Sequence, residues 1–152
     1  MTIVRRASVE DVESIYELID QYAQRGIMLP RSRELLMRLI DTFVVAEDEG
    51  RIVGVGSLCQ LGRDLVEIRS LGIVEDYKGR GIGTLLVGKL VEEAREKNIR
   101  HVMALTYEVK FFEKNGFQVV QKEIFPEKVW TDCVHCKKQH CCDEIAVLKR
   151  LD

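Results

Sequence analysis

Three observations predict an α/β fold for this 152-residue chain, a mixed central β-sheet flanked by helices on both faces. Apolar runs of strand length take turns with longer segments whose apolar residues recur every three or four positions. Turn-forming groups such as Asp48-Glu49-Gly50-Arg51 and Gly62-Arg63-Asp64 separate neighbouring strand-like runs. A glycine-rich loop then stands between one strand-like and one helix-like segment, the interleaving that layered α/β domains show.

The elements follow in order. Thr2 to Arg6 reads as a first strand. Ser8 offers a helix cap with Asp11 three residues on, and Val12, Ile15, Tyr16 and Ile19 form the apolar stripe of a helix that Gly26 ends. Ile27-Met28-Leu29-Pro30 makes an apolar loop, and Arg31 to Asp41 reads as a second helix carrying Leu35, Leu36, Leu39 and Ile40. Phe43 to Glu47, Ile52 to Gln60 and Leu65 to Val74 are three strands. A helix bearing Ile82, Leu85, Leu86, Leu90 and Ala94 on one face closes near Asn98. His101 to Leu105 is a buried-type strand, Glu108 to Asn115 a short helix, Phe117 to Lys122 a strand, and Glu144 to Leu151 the last strand.

Bulk properties narrow the function. Hydrophobic residues at 46% and charged ones at 32% describe a globular chain of single-domain size. A net charge of -2 gives no reason to expect nucleic-acid or membrane binding. No run approaches transmembrane length and no long apolar leader opens the sequence, so a cytoplasmic protein is expected.

The loop Lys78-Gly79-Arg80-Gly81-Ile82-Gly83-Thr84 carries the chemistry. Glycines let the backbone turn tightly and approach a ligand, so several N–H groups can point into one space. At a helix N-terminus those donors and the helix dipole form a seat for phosphate oxygens. The spacing is not that of a nucleoside triphosphate loop, since no Ser or Thr follows a lysine to hold magnesium. It is not the dinucleotide fingerprint either, which needs an acidic residue placed for a ribose.

The loop instead resembles the Q/R-x-x-G-x-G/A signature of the GNAT acetyltransferase superfamily, with Lys78 where Gln or Arg is usual. Leu71 to Ile73 reads like the strand before that signature, and Phe111-Phe112-Glu113-Lys114-Asn115-Gly116-Phe117 resembles the later "FYEKxGF" segment. The resemblance implies the GNAT fold, whose element order agrees with the one above, and acetyl-CoA as co-substrate. It implies that Lys78, Gly79, Arg80, Gly81, Ile82, Gly83 and Thr84 hold the pyrophosphate. The backbone around Leu71, Gly72 and Ile73 would pair with pantetheine, against which Phe112 would pack. Gly72 is also a place for a bulge in that strand.

For the reaction itself, Glu67 matches the position used as general base in some members, and its neighbours Leu65, Val66 and Ile68 give it an apolar setting. The alternative is a solvent-facing glutamate paired with Arg69. The usual acid, a tyrosine that protonates the leaving thiolate, is Phe112 here. Tyr107 is the nearest substitute; equally, water could protonate a thiolate whose parent pKa is about 8.5.

Arg31, in the segment that shapes acceptor pockets in this fold, and Arg69, on one face with Glu67, suit the carboxylates of a small-molecule amino-acid substrate. Arg33 reads equally as a carboxylate contact or as an ordinary surface arginine. A narrower resemblance rests on Met28-Leu29-Pro30-Arg31-Ser32, Glu67-Ile68-Arg69-Ser70-Leu71, Ala104-Leu105-Thr106-Tyr107 and Lys128-Val129-Trp130-Thr131-Asp132-Cys133. Together these look like the short single-domain amino-acid N-acetyltransferases of N-acetylglutamate synthase type. The implied acceptor is L-glutamate or a close relative, in the first step of arginine biosynthesis. Rival readings are a protein or peptide N-acetyltransferase and a non-catalytic acyl-CoA-binding or metal-binding module. The oligomeric state stays open, a homodimer being compatible.

Four of the five cysteines fall in an insertion at about 126–143. Cys133, Cys136 and Cys142, with His140, His135 or Cys141 as fourth, have the ligand types of a structural zinc site. A disulfide or reduced thiols without metal are the alternatives.

Overall fold

The computed structural model describes residues 2–121 and 144–151. The expected insertion, with Cys133, Cys136, His140 and Cys142, lies outside the described residues. Among the described residues, seven strands form one mixed sheet in the order β1-β2-β3-β4-β5-β7-β6. They are β1 Thr2–Arg6, β2 Phe43–Asp48, β3 Arg51–Gly62, β4 Leu65–Ile73, β5 His101–Thr106, β6 Gln118–Val120 and β7 Ile145–Arg150. Among the described residues, four α-helices accompany them: α1 Val12–Gln24, α2 Arg33–Leu39, α3 Ile82–Glu96 and α4 Val109–Lys114. No described helix is long and apolar enough to cross a membrane.

The chain forms two compact units, residues 1–58 with 68–92, and residues 59–67 with 93–152. In the first, β1 and β3 run antiparallel to β2. Helices cover both faces of its strands, and glycines allow the close approach. A Cβ at Gly54 or Gly56 would touch Leu86 or Leu90 of α3 at 3.0–3.1 Å, while one at Gly72 would come within 2.9 Å of Leu18 and 3.1 Å of Tyr22 on α1. Val12, Ile15, Leu18 and Ile19 of α1 join Leu36, Ile40, Phe43, Val45 and Val55 in one buried cluster.

The second unit has β4 parallel to β5 over Leu65–Glu67 and His101–Met103, then β5 and β6 antiparallel to β7. Met103, Ala146 and Leu148 form one buried cluster in it, with Leu61, Leu65, Leu105 and Val120 around them.

Several boundaries differ from the sequence reading. Ser32 accepts a hydrogen bond from the Leu35 N–H at 3.1 Å, so the second helix begins at Arg33 and Arg31 stays in the loop. Asp11 accepts from the Ser8 N–H at 2.8 Å, but the first turn it closes is a 3₁₀ turn and the α-helix starts at Val12. Leu85, expected on the buried stripe of α3, is 50% exposed. At about 100° per residue, Ile82, Leu86, Leu90, Ala94, Val87 and Val91 share one arc, and Leu85 falls roughly 60° outside it.

Candidate functional site

In the first unit, β4 passes through a short 3₁₀ turn, Glu75–Tyr77, into the glycine loop and then α3. Gly79 and Gly81 adopt φ of 80° and 82°, a region closed to most side-chain-bearing residues. A Cβ at either would meet nothing within 4 Å, so torsion rather than space selects glycine here. The turn ends where the Lys78 N–H donates to the Glu75 carbonyl at 3.3 Å, and the helix ladder opens where the Leu85 N–H donates to the Gly81 carbonyl at 3.2 Å. Between them, among the described residues, residues 79–84 donate no backbone hydrogen bond in a turn, loop or cap. Left-handed residues alternating with others line up N–H groups for an anion, and the α3 N-terminus adds its dipole.

The two loop cations are held differently. The Lys78 ammonium lies 3.0 Å from a Glu75 carboxylate oxygen and 5.3 Å from the centre of the Tyr22 ring. That pairing raises the lysine above its ordinary pKa and lowers the glutamate. Arg80 instead lies over Tyr77, its guanidinium carbon 4.5 Å from the ring centre. The Tyr77 hydroxyl donates to Asp48 at 2.8 Å, a bond that lifts the phenol above its usual pKa and holds the carboxyl below its own.

Along β4, the left-handed residue is Ser70, φ 53°. Gly72 serves contact: it lets α1 close on the strand. The main chain of Ile73, which the resemblance gives to pantetheine, is engaged within the protein. The Tyr22 hydroxyl donates to its carbonyl at 2.8 Å and accepts from its N–H at 3.0 Å. A ligand pairing at Ile73 must therefore displace Tyr22. Leu71 is half-buried, its Cδ1 3.1 Å from where a Cβ on Gly56 would sit.

The two arginines expected to hold the acceptor are half-buried: Arg31 in the loop before α2, Arg69 on β4 with its carbonyl accepting from Ser57 Oγ at 3.0 Å. Arg33 is spent on the surface, where it forms a two-pronged pair with Glu13 at 2.8 Å and covers the Tyr16 ring at 4.0 Å.

The remaining expected site residues belong to the second unit. Glu67 is 2% exposed and lies opposite Met103 in the parallel ladder. Tyr107 follows the end of β5 and is 39% exposed. The Glu108 N–H donates to Thr106 Oγ1 at 2.7 Å, bending the chain toward α4. Phe112 is 4% exposed, in edge-to-face contact with Phe111 at 5.2 Å and Phe117 at 5.1 Å, so its ring is a core element. Among the described residues no group of three or more metal-ligating side chains is found.

Sequence reasoning missed Tyr22 and Tyr77. Tyr22 continues the buried face of α1 four residues after Leu18, a visible signal for a polar tip at the end of an apolar stripe. Tyr77 directly precedes the loop, but nothing nearby in the sequence announces Asp48 as its partner.

Comparison with known proteins bears on this geometry. A family model described as the acetyltransferase (GNAT) family matches residues 12–117. An uncharacterised N-acetyltransferase of Chlorobaculum tepidum is 39% identical over 99% of this chain and 97% of its own length. An amino-acid acetyltransferase of Mycobacterium tuberculosis is 36% identical over 82% of this chain and 76% of its own. Among solved structures, N-acetylglutamate synthase of Neisseria gonorrhoeae, complexed with coenzyme A and N-acetyl-glutamate, superposes with TM-score 0.88 at 25% identity, covering all of this chain. This chain spans only 35% of that one. A Mycobacterium tuberculosis protein in complex with CoA superposes with TM-score 0.85 at 31% identity over 99% of both chains.

Proposed function

Because the chain belongs to the acetyltransferase (GNAT) family, we propose that this N-acetyltransferase moves the acetyl group of acetyl-CoA onto the α-amino group of an amino acid, L-glutamate first among them. That reaction opens arginine biosynthesis. The observation that carries the donor half is the row of amides at 79–84, set at a helix N-terminus and without turn, loop or cap acceptors among the described residues. Support for the acceptor half comes from the relative named an amino-acid acetyltransferase and the neighbour solved with N-acetyl-glutamate.

The roles follow from chemistry. The amides of residues 79–84, with Lys78 and Arg80, bind the donor's diphosphate. The β4 main chain from Leu71 to Ile73 pairs with pantetheine once Tyr22 withdraws, and an N–H there polarises the thioester carbonyl. Arg31 and Arg69 hold the acceptor's carboxylates. The amino group, mostly ammonium at neutral pH, must lose a proton before it attacks. Glu67 takes that proton directly or through a water. The nitrogen forms a bond to the carbonyl carbon, the C–S bond breaks, and CoA leaves as a thiolate that Tyr107 or solvent protonates.

A screen of free-thiol release from acetyl-CoA across the common amino acids tests the proposal. Glutamate is expected to give the fastest release, with a close relative such as glutamine next. Release that no amino acid stimulates, or that a peptide N-terminus stimulates far better, would overturn it.

A further inference from the structure

We infer that Tyr77 is a positioning residue for the donor's diphosphate, acting through Arg80; this rests on the donor reading above. Tyr77 is fixed at both ends. Its N–H donates to the Val74 carbonyl at 3.0 Å, and its hydroxyl reaches Asp48 at 2.8 Å, at the end of β2 where Asp48 faces Arg51 across the hairpin. The ring is thus a braced platform one residue before the loop.

Arg80 rests on that platform at 4.5 Å. Stacking occupies the flat face of a guanidinium and leaves its in-plane N–H groups directed outward for phosphate oxygens. A carboxylate partner would occupy those same N–H groups and cancel the charge. Among the described residues Arg80 forms no ion pair, whereas its neighbours do: Lys78 with Glu75 at 3.0 Å, Arg51 with Asp76 at 3.3 Å. Arg51 also lies 5.5 Å from the Tyr77 ring centre, but its pairing removes it from competition for an anion. Of Lys78, Arg51 and Arg80, Arg80 is the one with no ion pair among the described residues.

The inference separates Tyr77 from a merely structural tyrosine by donor chemistry. The readout is the ratio of kcat/KM for acetyl-CoA to that for S-acetylpantetheine, which carries the same thioester without phosphates. Tyr77→Leu is expected to lower this ratio about two- to fivefold, the range of an exposed cation–π contact, mainly through KM for acetyl-CoA. In an Arg80→Gln background the same change should add nothing, since its only route to the donor is gone. Arg80→Lys keeps the charge at an exposed position and drops the stacking face, so it should show a similar fall whether or not the leucine variant folds. An equal loss with both donors, a full effect in the Arg80→Gln background, or a lysine as effective as the arginine would overturn the inference. None of these touches the proposed function, which fails separately if the unaltered protein releases no thiol from acetyl-CoA with any amino acid.

Discussion

Gly81 shows how much one torsion can decide. With φ at 82° and open space around the missing Cβ, an alanine there meets no atom but must adopt a left-handed backbone. Gly81→Ala is expected to destabilise the protein by about 1 kcal/mol and to raise KM for acetyl-CoA more than it alters kcat. Chemical denaturation and donor titration check the two halves. Glu67 makes the opposite kind of prediction. It is buried, so Glu67→Gln keeps the side chain's shape but replaces a carboxylate oxygen with an NH2 donor that cannot take up a proton. Turnover should fall by roughly 10² or more with KM for acetyl-CoA nearly constant. A collapse in donor affinity with turnover intact would show that the base lies elsewhere.

At the level of elements, the first strand and first helix are joined by charge. Arg5 donates to both oxygens of Asp11, at 2.9 and 3.0 Å, and to Glu47 at 2.9 Å on the neighbouring strand. The guanidinium holds the Asp11 carboxyl below its usual range. A carboxyl depressed in the folded state contributes stability above its unfolded value near 3.9, and that contribution is lost as pH falls through the lower folded value. Asp11→Asn should therefore destabilise the protein at neutral pH by about 2 kcal/mol and flatten the acid limb of its stability profile below about pH 4. The Arg33–Glu13 pair has equally short contacts but 57% side-chain exposure on both partners, so removing it should change stability little. Elements were legible where their signals are local. The strand–loop–helix around 71–84 declares itself because glycine torsions and helical periodicity act over a few residues. Helix starts slipped because Ser32, not the apolar pattern, sets the first turn. Tyr22 and Tyr77 were not legible as site residues because their partners lie 51 and 29 positions away, brought close only by folding.

For the molecule as a whole, a donor that binds the folded chain must also stabilise it. At a hundredfold excess over its dissociation constant, acetyl-CoA should add about 2.7 kcal/mol, a rise of roughly 5 to 10 °C in Tm. S-acetylpantetheine at the same concentration should give a much smaller shift, because it carries no diphosphate; equal shifts would argue against a diphosphate seat at 79–84. The same global view sorts the glycines. Gly54, Gly56 and Gly72 are wedged between helices and strands, and Gly79 and Gly81 are bound by torsion. Gly88 is neither: it lies inside α3, exposed, with ordinary torsion and nothing within 4 Å of where a methyl group would stand. Alanine at 88 should therefore strengthen the protein by about 0.5 to 1 kcal/mol and leave acetyl transfer as it was. Anyone engineering heat tolerance into this scaffold has a natural first address, near the middle of a helix whose first turn follows the glycine loop.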